Sequence, residues 1–321
     1  MELITQFELT ILELITKFDN LFDFLKIGGA TIFTWIWWVI TQFGDKFIII
    51  GVLGLFYWCI NKEKGEKIAF AIISSLIVNS LLKTAFNRAR PFTHPGYENV
   101  NKLGNLSNHA GSSFPSGHSQ NAATTFSSIA LHERSLGTMI LAIVVITLVP
   151  LSRVYLGVHF PTDTIVGVLV GLGVSYLVYL LMTYFYNQKF IFYIGLLVLA
   201  TPFLFVDVTG ETAHSFYSSY GLLVGFIVGI FIENKCINFT CDVSLKTKIL
   251  RLLIGAAIVT GAYGLYKVID IALLSKLISP LKETNLVLFA NIENIYTALG
   301  YSIISVLSFG IIPFIFKNQK R

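Results

Sequence analysis

The chain has 321 residues, of which 55% are hydrophobic and only 13% charged, and its mean hydropathy is +0.73. Soluble domains usually carry about 25% charged residues. The composition therefore excludes a soluble globular domain and predicts an all-α, polytopic helical membrane protein. The net charge is +5, but no basic face carries interleaved aromatic residues, so a nucleic-acid partner is not expected.

The first 45 residues are predicted to form amphipathic helices in the membrane interface. Apolar residues recur at alternating gaps of three and four, which places them in one helical stripe: Ile4, Phe7, Ile11, Leu14, Phe18, Leu21 and Leu25. The other face is charged, and Glu13 and Lys17 are expected to pair weakly on this wet face. Such a helix lies at the headgroup level, which also suits Trp35, Trp37 and Trp38. Use of the stripe as a homodimer seam is left open.

The apolar runs that follow predict nine membrane spans, give or take one, because a crossing helix needs about 20 mostly apolar residues. Their approximate ranges are 46–61, 68–88, 117–132, 137–152, 163–186, 190–206, 215–233, 249–271 and 298–316. Residues 284–297 are expected to form a further interfacial helix. Glycines four residues apart predict close helix packing: Gly167 with Gly171, and Gly221 with Gly225 and Gly229.

Basic residues recur at every second gap between the predicted spans: Lys62, Lys64, Lys67, Arg134, Lys189, Lys235, Lys246, Lys248, Arg251, Lys317, Lys320 and Arg321. Short cytoplasmic loops are enriched in lysine and arginine, so these gaps are predicted to face the cytoplasm. Three polar clusters fall in the other gaps, on the non-cytoplasmic face. The expected location is the plasma (inner) membrane, with the site on its outer side.

The first polar cluster follows the second predicted span. Lys83 and Arg90 are seven residues apart, close to two helical turns, so both are predicted to point to one face. Pro91 is expected to end the helix and to leave Arg90 at the membrane surface, where its fork can hold two phosphate oxygens. Arg88 lies off this face and is not expected to be a ligand. Snorkelling at the interface is the alternative use of these cations.

The second cluster, Pro115-Ser116-Gly117-His118, follows a polar loop over 92–114 that is predicted to cover the site. Proline, serine and glycine suit a helix start, whose free N–H groups and positive dipole end attract an anion. Gly117 would let a phosphate approach the backbone closely, and His118 could protonate a leaving oxygen. A simple helix cap is the alternative for this cluster taken alone.

The third cluster is Ser152-Arg153, then His159 and Asp163. Pro161 suits the first turn of the next span, which would place Asp163 in that turn and His159 just before it. A carboxylate bonded to one ring nitrogen would fix the tautomer and leave the other nitrogen free to attack. Arg153 adds a third cation to Lys83 and Arg90.

Together the clusters resemble the three-part signature of the type-2 phosphatidic acid phosphatases, the lipid phosphate phosphatases. This family shares its site with the vanadium-dependent haloperoxidases and glucose-6-phosphatase. Every signature position is filled: Lys83, Arg90, Pro91, Pro115, Ser116, Gly117, His118, Ser152, Arg153, His159 and Asp163. The resemblance covers about residues 46–186 and implies a phosphatase helix-bundle core. It divides the chain into interfacial helices (1–45), this core (46–186) and a C-terminal transmembrane extension (187–321).

The resemblance also implies a role for each residue. His159 would attack phosphorus to form a phosphohistidine, Asp163 would orient it, and His118 would protonate the leaving group. The phosphate-binding residues would be Lys83, Arg90, Ser116, Gly117 and Arg153. No metal or other cofactor is expected, because three cations already stabilise the transferred group.

The function expected from these residues is hydrolysis of the terminal phosphate of a lipid. Phosphatidic acid, phosphatidylglycerol phosphate, an isoprenyl pyrophosphate and a sphingoid base phosphate all remain open as substrates, with membrane lipids as surroundings. Transfer of the phosphoryl group to another acceptor is one alternative. A lipid transporter or scramblase is another, but the charged residues cluster near one surface rather than at the midplane.

Overall fold

The computed structural model describes residues 2–22, 25–27, 30–102, 111–206, 210–273 and 279–317. They form thirteen α-helices, α1 to α13 in chain order: Glu2–Asn20, Ile32–Thr41, Lys46–Gly54, Lys62–Phe86, Gly117–Glu133, Leu136–Tyr155, Pro161–Tyr184, Lys189–Ala200, Gly210–Ile232, Leu245–Leu273, Ser279–Thr284, Leu286–Val306 and Ile312–Phe316. Two short strands, β1 (Lys26–Ile27) and β2 (Ala30–Thr31), form an antiparallel pair. The predicted all-α class is confirmed.

The chain is an integral membrane protein. Within the described residues, seven helical segments are long and apolar enough to cross a membrane, and the bent pair Ile32–Gly44 with Lys46–Ile60 makes an eighth if it counts as one span. Eight of the nine predicted ranges correspond to these segments. The ninth is α5, which has 17 residues and a largely polar sequence. The separate interfacial helix predicted over 284–297 is wrong, because α12 continues unbroken from Leu286 to Val306.

The chain forms two compact units. Unit 1 comprises Met1–Ile49 and Ser74–Leu181, and unit 2 comprises Ile50–Ile73 and Met182–Arg321. Every residue of the three polar clusters belongs to unit 1. The division at residues 45 and 186 that the sequence suggests stays a prediction.

In unit 1, α5 packs closely against α7. A Cβ atom at Gly167 would lie 2.7 Å from Ser116 O, and one at Gly171 would lie 2.6 Å from Gln120 O. The two glycines therefore allow the close backbone approach that their spacing predicts. Gln120 also fastens α5 to α4, since its Nε2 donates to Ser75 O at 2.7 Å and its Oε1 accepts from Asn79 Nδ2 at 2.8 Å. These contacts hold the start of α5 in place.

The charged face of α1 is less exposed than the sequence predicts. The predicted apolar stripe is largely exposed, and Glu13 and Lys17 do pair on the surface at 2.9 Å. Two acids of the same helix, Glu8 and Asp19, are buried instead. Both are bonded by residues from later elements, and a buried carboxylate remains stable only when it is satisfied in this way. The side of α1 that carries Glu8 and Asp19 therefore packs onto the rest of unit 1 and is not wet.

In unit 2, α9 packs against α12. A Cβ atom at Gly221 or Gly225 would clash with a carbonyl oxygen of α12, so these glycines also serve close packing. Two basic residues that were expected in loops are buried in helices. Lys189 Nζ lies 2.6 Å from Glu66 Oε1. Arg251 donates to three carbonyl oxygens, those of Trp58, Thr240 and Phe316.

Candidate active site

Four helix ends bring the three polar clusters together at one end of unit 1. Helix α4 ends at Phe86, α5 begins at Gly117, α6 ends at Tyr155 and α7 begins at Pro161. The second and third clusters are joined directly, because the Ser116 N–H donates to the Asp163 carbonyl oxygen at 2.9 Å. Residues that are far apart in the chain thus meet through the ends of antiparallel spans.

His159 and Asp163 form a buried pair. His159 Nδ1 lies 3.5 Å from Asp163 Oδ2, and the whole-residue exposures are 2% and 0%. The same carboxylate oxygen accepts from the Phe160 N–H at 2.9 Å and from the Ser113 hydroxyl at 2.5 Å. Ser113, which sequence analysis missed, also lies 3.3 Å from His159 Nδ1. The imidazole therefore has one nitrogen turned toward an anchored carboxylate.

The other nitrogen of His159 faces a cation. Arg90 Nη1 lies 3.4 Å from His159 Nε2 and donates to the Val158 carbonyl at 3.0 Å. Arg90 is buried, with 6% of its surface exposed. A guanidinium held beside this nitrogen can hold an anion within its reach.

The backbone that leads to Arg90 differs from the predicted one. Helix α4 already ends at Phe86, where Asn87 adopts a left-handed conformation with φ of 38°. Lys83 and Arg90 therefore do not share two turns of one helix. A left-handed residue terminates a helix without proline, and Pro91 instead begins a short 3₁₀ turn to Thr93.

The second cluster forms the N-terminus of α5. Ser116 is the N-cap, and its Oγ accepts from the Ser119 N–H at 3.5 Å and from the Ser119 hydroxyl at 3.0 Å. A Cβ atom at Gly117 would meet only Asn79 Oδ1, at an ordinary 3.6 Å. Packing within the protein does not demand glycine there, which leaves room for a ligand beside the helix start.

The two remaining cations are held by neighbouring oxygens. Lys83 Nζ donates to the Ser112 carbonyl at 3.2 Å. Arg153, near the end of α6, donates from Nη1 to the Thr41 hydroxyl at 3.0 Å and is 2% exposed. Thr41 is the last residue of α2. The N-terminal helices thus contribute to the site, which the sequence did not indicate.

His118 has an acidic neighbour that the sequence did not reveal. Its Nε2 lies 3.8 Å from Asp45 Oδ2, and both side chains are about a quarter exposed, at 24% and 26%. Asp45 lies in the turn before α3, and its other oxygen accepts from the Phe47 N–H at 2.9 Å. The preceding Gly44 allows this approach, since a Cβ atom there would lie 2.5 Å from the His118 carbonyl.

Arg88, which was set aside as a phosphate ligand, bonds the catalytic candidate Asp163 instead. Arg88 Nη1 lies 2.8 Å from Asp163 Oδ1, and Arg88 Nη2 lies 2.6 Å from Glu8 Oε2. Glu8 comes from α1, about 80 residues earlier in the chain. No local pattern predicts this pairing, because it depends on α1 packing over the ends of α4 and α7.

The described parts of the polar loop pack beside α1. Val100 shares a small apolar core with Leu9, Leu12 and Phe160. The Lys102 ammonium lies 3.7 Å from the centre of the Tyr155 ring. Burial lowers the pKa of Lys102 to about 8, an effect that the Asp19 carboxylate opposes. The central part of the loop, residues 103–110, lies outside the described residues.

Among the described residues, no group of three or more histidine, cysteine, aspartate or glutamate side chains could hold a metal ion. The last residues, Lys320 and Arg321, which were predicted to face the cytoplasm, lie outside that part of the chain.

Two family descriptions match the chain. Residues 66–187 match the PAP2 superfamily, and residues 217–320 match the transmembrane extension of PAP2 superfamily phosphatases. The first match includes all three polar clusters. The second covers much of the segment that was predicted to be a C-terminal extension.

Three relatives show what the chain is similar to. Phosphatidylglycerophosphatase B of Bacillus subtilis is 33% identical over 142 residues, which are 41% of this chain and 63% of that protein. Lipid A 4'-phosphatase of Porphyromonas gingivalis is 31% identical over 148 residues, 43% and 61% of the two chains. Undecaprenyl-diphosphatase of Sulfolobus acidocaldarius is 27% identical over 164 residues, 50% and 73%. The matches to the first two span less than two thirds of those proteins.

Proposed function

The chain belongs to the PAP2 superfamily, and we propose that it is a membrane phosphatase that hydrolyses the terminal phosphate of a lipid through a phosphohistidine. One observation carries the proposal: the two nitrogens of His159 face opposite groups, with Asp163 beside Nδ1 and Arg90 beside Nε2. This arrangement suits a nucleophile that is oriented on one side and offered an anionic phosphate on the other.

In the first step, His159 Nε2 attacks phosphorus and the bond from phosphorus to the lipid oxygen breaks. His118 gives a proton to that oxygen, so the lipid leaves as an alcohol. The Asp163 carboxylate lies beside Nδ1–H and stabilises the positive imidazole of the phosphohistidine. Lys83, Arg90, Arg153, the Ser116 hydroxyl and the Gly117 N–H surround the transferred group and stabilise its charge.

In the second step, water attacks the phosphohistidine and gives a proton to His118. The nitrogen–phosphorus bond breaks, inorganic phosphate leaves and His159 returns to its starting state. The net reaction consumes one lipid phosphate and one water and yields one lipid alcohol and one phosphate. The charge is supplied by arginine and lysine, so this reaction requires no metal ion.

The substrate class follows from the setting of the site. Its residues lie at the ends of membrane-spanning helices, so a headgroup can enter while the acyl or prenyl chains stay in hydrocarbon. The named relatives act on a glycerophospholipid, on lipid A and on a prenyl diphosphate, which supports a lipid substrate without selecting one. We place the site on the non-cytoplasmic face of the plasma (inner) membrane, on the charge asymmetry of the connecting loops.

The test is phosphate release by the purified chain in detergent with a chelator present. The panel holds phosphatidic acid, phosphatidylglycerol phosphate, undecaprenyl diphosphate and a sphingoid base phosphate. Release is expected from at least one of them, and His159→Ala is expected to abolish it without changing the unfolding midpoint. Turnover retained by His159→Ala contradicts the mechanism. If the phosphate of the lipid is isotopically labelled, transfer of the label to another acceptor instead of its release as free phosphate would show a phosphotransferase.

A further inference from the structure

Glu8 of α1 is a buried carboxylate with a full set of donors. It is 3% exposed. Its Oε2 lies 2.6 Å from Arg88 Nη2, and its Oε1 accepts from the Thr162 N–H at 2.9 Å and the Thr162 hydroxyl at 2.7 Å. A charged acid remains stable in such a place only when donors of this kind surround it. Glu8 is therefore held firmly against the start of α7.

Arg88 is shared between Glu8 and Asp163. One end of its guanidinium, Nη2, bonds Glu8, while the other end, Nη1, bonds Asp163 Oδ1 at 2.8 Å and the Thr162 hydroxyl at 2.7 Å. The plane of the guanidinium lies over the Phe160 ring, 3.9 Å from its centre. Since the fork is rigid, fixing Nη2 on Glu8 also fixes the direction from which Nη1 meets Asp163.

The two oxygens of Asp163 have separate partners. Oδ1 bonds Arg88, and Oδ2 faces Ser113, the Phe160 N–H and His159 Nδ1. A partial rotation of the carboxylate would break both sets of bonds. The bond from Arg88 to Oδ1 therefore helps to present Oδ2 to the imidazole.

Glu8 also changes the charge near His159. Without it, the charges of Arg88 and Asp163 would cancel, and His159 would face a neutral pair. With Glu8 present, the three groups carry one net negative charge, which stabilises an imidazolium. A further charged group, Arg90, faces the imidazole from the opposite side of the ring.

We infer that Glu8 is a positioning residue for the His159–Asp163 pair, acting through Arg88. This role presupposes the phosphohistidine reaction proposed above. Glu8 does not touch the reacting atoms; it holds the arginine that orients Asp163 and offsets the arginine's charge. An N-terminal helix that precedes residues 66–187, the segment that matches the superfamily, thus contributes to the chemistry.

The test uses the full chain with Glu8→Gln, which keeps the shape of the side chain and removes its charge. The matched control is Glu13→Gln on the exposed face of the same helix, where the acid pairs with Lys17. We expect kcat to fall about tenfold, the lower end of the loss seen when a residue that orients a metal-binding histidine is removed. KM, and inhibition by inorganic phosphate, should stay within about twofold, because the phosphate-binding cations are unchanged.

The pH profile distinguishes a residue that positions the His159–Asp163 pair from one that only stabilises the fold. His159 must be uncharged to attack, so the acidic limb of kcat/KM reports loss of its proton. Removing the negative charge of Glu8 makes that proton easier to lose, and the acidic limb should move to lower pH. Glu13→Gln should leave the limb where it is in the wild type. A variant that was only loosened in structure would lose activity at all pH values without this shift.

Several outcomes overturn the role of Glu8. The first is Glu8→Gln with the kcat and acidic limb of the wild type. The second is a loss of activity with no shift of the limb and with a raised KM and weaker phosphate inhibition. If Glu8→Gln does not fold, Arg88→Lys keeps the positive charge but cannot hold Glu8 and Asp163 together through one rigid fork, and a wild-type kcat with a wild-type acidic limb in that variant overturns the role. A wild type that releases no phosphate from any lipid contradicts the proposed function instead.

Discussion

The hydroxyl of Ser113 contacts both members of the His159–Asp163 pair. Its Oγ lies 2.5 Å from Asp163 Oδ2 and 3.3 Å from His159 Nδ1, and the serine is fully buried. The carboxylate is the stronger acceptor, so it takes the hydroxyl proton. The oxygen of Ser113 is then placed to accept from Nδ1–H, and the serine helps to fix which nitrogen carries the proton.

Ser113→Ala should therefore lower kcat by about tenfold or more, because hydrogen bonds to charged groups contribute about 1.5–3 kcal/mol. The measurement is steady-state phosphate release from the best lipid of the panel. Ser127→Ala is the matched control, since that hydroxyl is also buried and bonds the Ala123 and Thr124 carbonyls of its own helix. Equal activity of Ser113→Ala and the wild type would rule out the orienting role.

Asp45→Asn should move the basic limb of the pH profile to lower pH. His118 must be protonated to serve the leaving group, and the Asp45 carboxylate at 3.8 Å favours the protonated imidazole. Without this charge the proton is lost at lower pH. The measurement is kcat/KM from pH 5 to 9, with the exposed Asp242→Asn as control. An unchanged basic limb in Asp45→Asn would show that Asp45 does not influence the protonation of His118.

Stability should rise with pH in a window set by Lys102, whose pKa is lowered to about 8 by burial. An unfolded lysine has a pKa of about 10.4, so between these values the unfolded chain binds more protons than the folded one. The free energy of unfolding therefore increases across this window. Lys102→Met should flatten this increase in unfolding experiments in detergent at pH 7.5 and 9.5, whereas the exposed Lys17→Met should not. If the unfolding free energy of Lys102→Met rises with pH as steeply as that of the wild type, Lys102 is not the source of this pH dependence.

Gly157→Ala should lower the free energy of unfolding by about 2 kcal/mol or more. Gly157 has a φ of 71°, which strains an L-residue by about 1–2 kcal/mol, and a Cβ atom there would clash with the Val100 carbonyl. Gly173→Ala is the control, because a Cβ atom at that helical position meets nothing within 4 Å. Unfolding midpoints in detergent compare the two variants. Similar midpoints for both would show that the turn adapts without cost.

Cysteine labelling tests the orientation of the chain. Cys236 is exposed and lies in a connection predicted to be cytoplasmic, so a maleimide that cannot cross membranes should not label it in intact cells. Asn99→Cys, at an exposed position between the first two clusters, should be labelled under the same conditions. Both cysteines should react once the membrane is permeabilised. The reverse pattern in intact cells would place the site on the cytoplasmic face.

The fold class and most spans were predictable because hydrocarbon imposes a simple rule on sequence. A crossing helix needs a long apolar run, so runs such as the one in α7 are visible without any tertiary information. The two departures from the predicted elements, at α5 and at the start of α12, arise from the same rule. Helix α5 is too short and polar to satisfy the rule, and the start of α12 looked interfacial because acidic and amide side chains interrupt its apolar sequence.

The candidate site was predictable only in part. His159, Asp163 and Arg90 stand out because charged or titratable residues are rare beside apolar runs. Ser113 and Asp45 carry no such signal, since a serine or an aspartate in a turn is commonplace. Their importance comes from the 2.5 Å and 3.8 Å distances to residues of other helices, and spacing along the chain does not encode those distances.

By itself, the sequence determined that this chain crosses a membrane repeatedly and carries three clusters of charged and polar residues at span ends, which are candidates for phosphate binding and acid–base chemistry. Such clusters stand out in the sequence because it costs free energy to place a charge in hydrocarbon. Only the tertiary structure decided that Arg88 bonds Asp163 rather than a ligand, and that Glu8 of the first helix holds Arg88. The reason is physical: an ion pair depends on which helix faces meet, and packing between distant segments selects those faces.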